Sequence, residues 1–189
     1  MNELQLTLKD KQRLLSEARY SIEKLLQLTD KTNPELEHQP GEALLSGCGA
    51  FVSIHNHGQL RGCYGRMISN EPLIDTVREM AIWSASRDSR FPPVTAEELP
   101  DIDIEISVLS PMERISDVGL IIPGKHGIYL RKGYNSGVFL PQVATETGWN
   151  TEELLGYCAR DKAGIGWKGW KTAEIYVFTA EVFGETMVV

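Results

Sequence analysis

The sequence predicts an α+β fold, a mostly antiparallel sheet with flanking helices. Strand-like runs come as hairpins around short turn signals, and helical patterns stand apart from them instead of alternating strand by strand. The composition agrees: 189 residues with 42% hydrophobic and 24% charged side chains make a globular chain, not a collagen, a coiled coil or a disordered polymer. The length is that of one domain, read as 1–189.

The elements follow in order. Thr7 and Asp10 form a capping pair before Leu8, Leu14, Leu15, Ala18, Ile22, Leu25 and Leu26, which recur at helical spacing and predict an N-terminal helix over about 7–28. Thr29 to Gly41, with two Pro, two Glu and one Lys, has no periodicity and reads as a loop. Residues 50–55 and 59–65 are extended runs around the turn signal Asn56-His57-Gly58, a hairpin. Simple alternation puts Gln59, Arg61 and Cys63 on one face of the second strand and Leu60 and Tyr64 on the other. Gly62 and Gly65 bracket Cys63, and glycine inside a strand marks a bulge or a close approach of backbone or ligand.

Pro72 opens a second helix with Leu73, Val77, Met80, Ala81 and Ser84 on its inner face. It ends in the loop Arg87-Asp88-Ser89-Arg90-Phe91-Pro92-Pro93, after which Thr95 and Glu98 cap a short helix expected to stop before Pro100. Ile102, Ile104, Ile106 and Val108 alternate with Asp101, Asp103, Glu105 and Ser107, the pattern of a strand with one buried face. Pro123 to Gly127 is a turn, and 128–131 with 137–140 form a second hairpin. Asn150 or Thr151 caps a helix to about Lys162, and 175–183 reads as one long final strand.

Charge and cysteine content narrow the function classes. The net charge of −7 weighs against nucleic acid and anionic membrane as partners of the whole surface. It is unevenly spread: residues 61–90 hold five basic and four acidic side chains, residues 95–117 one basic and seven acidic. Three cysteines, at 48, 63 and 158, leave one over after any pairing and form no C-x-x-C, the usage of reduced thiols in the cytoplasm. The sequence has no secretory signal, no apolar run of membrane-spanning length and no common nucleotide-binding motif. No cofactor motif is evident, and the oligomeric state is left open.

Ordered motifs carry a family resemblance. They are Gly49-Ala50-Phe51-Val52, Leu60-Arg61-Gly62-Cys63-Tyr64-Gly65, Arg87 to Pro93, Asp103 to Ser110, Gly124-Lys125-His126-Gly127, Leu140 to Ala144 and Gly148-Trp149. With them the chain resembles the AMMECR-type domain family, named for the AMME syndrome chromosomal region, and within it the AmmeMemoRadiSam system protein A. The motif-bearing part runs over about 49–183. A typical member has Ile where Tyr64 stands and Arg where Lys125 stands; the second change keeps the charge and loses the planar fork. The resemblance implies a larger and a smaller lobe with a cleft near the Leu-Arg-Gly-Cys motif. It also implies association with a radical S-adenosylmethionine (radical SAM) protein and a Memo-type protein, and it supplies no settled reaction.

The candidate chemistry centres on Cys63. As a nucleophile it needs a lowered pKa, for which Arg61 is the nearest cation in sequence, with His126 as general acid/base and Glu105 to orient it. The structural alternative is a small buried side chain among glycines. Arg61, Gly62, Gly65, Arg87, Asp88, Arg90 and Gln142 are the ligand-binding candidates, suited to a small anionic ligand, although an Arg–Asp88 pair that merely locks its loop fits the same residues. His55, His57 and Cys63 form H-x-H-x5-C, but His57 falls in the turn and no fourth ligand is near, so no metal is assigned. Trp149, Trp167 and Trp170 suit stacking or packing.

Two function classes result. One is an accessory protein that binds a small anion and acts with the radical SAM and Memo-type proteins; the other is an enzyme built on Cys63 and His126. RNA binding at a small site is a third, disfavoured by the charge.

Overall fold

The computed structural model describes residues 5–29 and 39–187, so most of the loop expected between Thr29 and Gly41 lies outside the described residues. The chain divides into two compact units, one formed by Met1–Leu109 with Glu181–Val189 and the other by Ser110–Ala180.

In the first unit, helix α1 (Leu8–Leu25) starts at the expected capping box: the Thr7 hydroxyl accepts from the Asp10 amide and the Asp10 carboxylate accepts from the Thr7 amide. Leu14, Leu15, Ala18 and Ile22 are buried, whereas Leu8 and Leu25, expected on the inner face, are exposed at the two ends of the helix. The buried stripe also takes Glu17, only 1% exposed. Its carboxylate accepts from Arg13 Nε at 2.9 Å and from Arg78 Nε and Nη2 at 2.8 and 2.9 Å. Arg78 belongs to α3 (Leu73–Ser86), so a buried charge with matched donors ties the two helices together. A single-turn helix, α2 (Glu42–Leu45), precedes the sheet.

The first sheet has the order β2-β1-β3-β8. Strands β1 (Ala50–Asn56) and β2 (Gln59–Arg66) form the expected hairpin, and His57 and Gly58 at its tip both have positive φ, as a tight two-residue turn requires. β3 (Ile102–Leu109) pairs antiparallel with the other side of β1. Val52, Ile54, Ile104 and Ile106 are fully buried together with Val77 and Met80 of α3. Each such side chain removed from water contributes roughly 1.5–3 kcal/mol. β8 (Ala180–Gly184) adds Phe183 to this core.

Two expectations change here. The register of β1 against β2 shifts between Ile54 and His55, with Ile54 opposite Gly62 and His55 opposite Leu60. Arg61 is therefore the extra residue of a bulge, and Leu60, not Gln59, shares a face with Cys63. The capped helix after Thr95 is a 3₁₀ helix, Ala96–Asp101, that runs through Pro100 instead of stopping before it. The i→i+3 bond of a 3₁₀ helix closes a turn over one residue fewer than the α-helical bond, which suits so short a segment.

The second unit carries the antiparallel sheet β4-β7-β5-β6, from β4 (Glu113–Ile115), β5 (Gly127–Lys132), β6 (Asn135–Phe139) and β7 (Glu174–Phe178). Helices α4 (Pro141–Thr147) and α5 (Thr151–Tyr157) flank it. Ile128, Leu130, Leu154, Leu155 and Cys158 are buried in its core, and burial pushes the Cys158 thiol up to about 12. After Tyr157 the helix widens into a π turn over Cys158–Lys162. The long final strand expected over 175–183 is two strands, β7 and β8, serving different sheets, with Thr179 between them. β4 and α4 were not expected: β4 is three residues long, and α4 is a seven-residue helix that opens at Pro141.

Candidate functional site

The first unit brings most of the candidates together around the outer edge of β2. Gly62 faces α3: a Cβ there would lie 2.3 Å from the Ser84 carbonyl oxygen. The strand thus approaches the helix as closely as only glycine allows, and Ser84 Oγ donates to the Val52 carbonyl at 2.6 Å beside it. Alternation then turns Cys63 to the other face, opposite Ser53 of β1, which is itself opposite Glu105 of β3. Cys63, Ser53 and Glu105 form one cross-strand row. Gly65 pairs with Phe51, whose ring covers it; a Cβ there would meet the ring at 2.2 Å.

Asp88 closes the edge. Its buried carboxylate, on a residue 8% exposed, accepts the Cys63 amide at 2.9 Å through Oδ2. It also accepts the Arg90 amide at 3.1 Å and a two-pronged guanidinium contact from Arg90, 2.9 Å from Nε and 2.6 Å from Nη2. The Arg90 fork, with the Cys63 and Arg90 amides behind it, holds the Asp88 carboxyl well below the usual carboxylate range against the opposing effect of burial. The Cys63 thiol accepts from Ser53 Oγ at 3.3 Å. Burial pushes this thiol up, and the carboxylates of Asp88 and Glu105 act in the same direction; the Ser53 hydrogen bond and the Arg90 charge offset them only in part. Cys63 is a protonated, half-buried thiol at neutral pH.

The three arginines separate by role. Arg61, the bulge residue, donates from Nε and Nη2 to Glu98 at 2.7 and 3.0 Å, and from Nη1 and Nη2 to the carbonyls of Pro92 and Pro93 at 2.9 and 3.3 Å. It binds β2 to the Arg87–Pro93 loop and to the 3₁₀ helix, and its hydrogen bonds to Glu98 hold that carboxyl below its ordinary range. Arg90 is committed to Asp88. Arg87 lies over the Trp83 ring, 4.7 Å from its centroid, and pairs with no carboxylate among the described residues. Trp83 also meets Tyr64 edge-on at 5.3 Å and carries Arg66 at 5.3 Å; Arg66 is paired with Glu71 and Glu79.

His126 and Gln142 belong to the second unit. His126 is buried in the turn before β5, where its Nδ1 accepts the Ile122 amide at 3.3 Å, which puts the proton of the neutral ring on Nε2. Gln142 stands in the first turn of α4. In the same unit Trp149 stacks on Tyr157 at 4.0 Å, with Trp167 edge-on to Tyr157 at 4.8 Å, a packed aromatic cluster. Among the described residues no three His, Cys, Asp or Glu side chains converge as a metal site.

Ser53, Trp83 and Glu98 were not singled out from sequence as parts of this site. Counting back from the hairpin turn without a bulge places Ser53 opposite Gly62, so its contact with Cys63 depends on the extra residue at Arg61. Glu98 was visible as a capping residue, a role it keeps by accepting the Thr95 amide at 2.9 Å, but its fork with Arg61 spans 37 positions.

The AMMECR1 family profile matches residues 15–183. The chain belongs to the AMMECR1 family. Relatives in this family include a protein of Methanothermobacter thermautotrophicus, 43% identical over 72% of this chain and 75% of its own length, and one of Thermococcus onnurineus, 38% identical over 89% and 86%. The crystal structure of the uncharacterized protein PH0010 from Pyrococcus horikoshii superposes with a TM-score of 0.82 at 35% identity, covering 92% of this chain and 90% of the other. The family match spans residues of both units. No described helix is long and apolar enough to cross a membrane.

Proposed function

We propose that this AMMECR1-family protein is a cytoplasmic accessory component that binds a small anionic ligand, acting with a radical SAM protein and a Memo-type protein. The observation that carries the reading is Arg87. Its guanidinium rests on Trp83 with its hydrogen-bond donors uncommitted to any described carboxylate, one residue from the Asp88 that fixes the Cys63 edge. A planar cation pre-positioned on an aromatic face is suited to grip a carboxylate or phosphate. Cys63 supports binding over covalent attack, because its thiol is raised and the adjacent Arg90 is already neutralised by Asp88.

Citrate and pyrophosphate serve as probes, with ¹H–¹⁵N spectra of the full chain as the readout. Saturable shifts at the Trp83 indole and at the Arg87 and Asp88 amides are expected at millimolar concentrations, and they should vanish in Arg87→Gln. Shifts that persist in the variant, or none in the wild-type protein, overturn the reading. Iodoacetamide separates binding from nucleophilic catalysis: Cys63 should alkylate more slowly than free cysteine at neutral pH, and faster alkylation would restore the enzyme built on Cys63.

A further inference from the structure

The second unit has a groove of its own, about 660 Å³, where β4 leaves the sheet. β4 pairs with Val177, Tyr176 and Ile175 of β7 and ends there, so the first residue of β7, Glu174, has a strand partner only on the β5 side. The chain turns away after Ile115 into the 3₁₀ helix Val118–Leu120, and the 3₁₀ helix Gly169–Thr172 forms the facing wall. Ile115, Val118, Trp170 and Ile175 form the apolar part of the groove; Arg114 and Lys171 bring two cations to it and Glu174 one carboxylate.

These cations are poorly neutralised. Arg114 reaches Glu174 only at 3.5 Å, and Glu174 is already engaged by Arg131 at 2.6 Å. Lys171 lies 5.3 Å from the centroid of the Trp170 ring and has no acidic partner among the described residues. The indole N–H of Trp170 is buried without an acceptor. The charge balance of the unit points the same way. Residues 110–180 hold eight Lys and Arg against seven Asp and Glu, a formal +1 in a chain of −7.

We propose that this groove binds a small anion with a flat apolar body, the acid group between Arg114 and Lys171 and the body against Trp170, Ile115 and Ile175. Its volume lies within the range of small-molecule sites, roughly 300–1,000 Å³. An apolar wall beside two cations, with the one carboxylate of the groove, Glu174, already held by Arg131, selects against a bare inorganic anion, which gains nothing from the wall, and against a neutral aromatic, which gains nothing from the cations. The acid group is a carboxylate or a phosphate monoester. The site is independent of the Arg87 shelf, since all its residues lie in the second unit.

The full chain is titrated with four probes, 2-naphthoate, 2-naphthyl phosphate, neutral 2-naphthamide and inorganic phosphate, and read by ¹H–¹⁵N spectra. Either naphthyl anion should shift the Ile115, Lys171, Ala173 and Glu174 amides saturably, and the tighter of the two identifies the acid group. The amide and inorganic phosphate should bind at least about fivefold more weakly, the effect of one partly exposed ion pair, and Lys171→Gln and Arg114→Gln should each weaken the anions by about as much. Both side chains are exposed, so both variants should fold. Equal binding of naphthamide and naphthoate, unchanged binding in both variants, or no shift at these amides with either anion overturns the proposal. Citrate shifts at Trp83 report the Arg87 shelf separately, so failure at one site leaves the other measurable.

Discussion

Asp88 explains more of the candidate site than Cys63 does. One buried carboxylate accepts from the exposed edge of β2 and from three N–H groups of Arg90, so the family motif carrying Cys63 and the loop carrying Arg87 are held by the same two oxygens. The sequence displayed Asp88 between two arginines but not which of them it would take; Arg90 is paired and Arg87 is left on Trp83. Because the folded-state pKa of Asp88 lies below its unfolded value of about 3.9, its contribution to stability is present above that pH and is lost as the pH falls through the carboxylate range. Asp88→Asn should therefore cost about 1–3 kcal/mol at neutral pH and give a shallower loss of stability between about pH 4 and pH 2 than the wild-type chain shows. Urea midpoints across that range check it. Parallel acid limbs for the two proteins would mean that the carboxylate titrates alike in both states.

The two glycines of the motif do different work on the two faces of β2. At Gly62 a Cβ would strike the Ser84 carbonyl, which is backbone and cannot move without shifting α3 off the sheet; at Gly65 it would strike the Phe51 ring, which is a side chain. Gly62→Ala should destabilise by about 3 kcal/mol and Gly65→Ala by less, with Phe51→Ala relieving the second clash and not the first. Thermal unfolding of the two single variants and of the two combinations with Phe51→Ala decides this, and equal losses at both positions would show that neither contact sets the strand's position. The hairpin, the β3 alternation as far as Ile106 and the capping boxes were legible because each depends on residues a few positions apart, whereas Ser107, expected on the outer face, is buried. The Arg61 bulge was legible only in part: Gly62 signalled a bulge or a close approach, but nothing local says which residue is the extra one, and that residue puts Leu60 beside Cys63 and brings Ser53 to the thiol. The division of residues 175–183 was not legible, since β-branched and aromatic residues continue across Thr179 while the chain changes sheets.

Across the whole molecule, charge and chain path both follow the two units rather than sequence windows. The basic cluster at 61–90 proves largely internal: Arg61, Arg66, Arg78 and Arg90 are matched to carboxylates, while the first unit as a whole carries eleven basic and nineteen acidic residues, a formal −8, and the second +1. The chain leaves the first unit after Leu109 and returns at Glu181, so that unit is completed only when its last segment comes back. That segment is held by Phe183, 3% exposed in the core, and by Glu185. The Glu185 carboxylate accepts from Nε and Nη2 of Arg19 and, at 2.9 Å, from the Ile104 amide; Arg19 also donates to the carbonyls of Leu99 and Ile102. The second unit is continuous, and its first and penultimate residues are joined by reciprocal bonds between Ser110 and Thr179, each 2.9 Å. Ending the chain at Ala180 should therefore act unequally. The first unit loses about 3–5 kcal/mol from Phe183 alone and, with it, the Glu185 contacts, whereas the second keeps every residue of its sheet. In hydrogen exchange the β1 and β3 amides should lose protection while those of β5 and β7 keep most of theirs. An equal loss in both sheets would show that the two units unfold as one cooperative body, and undiminished protection in β1 and β3 would show that the returning segment contributes little to the first.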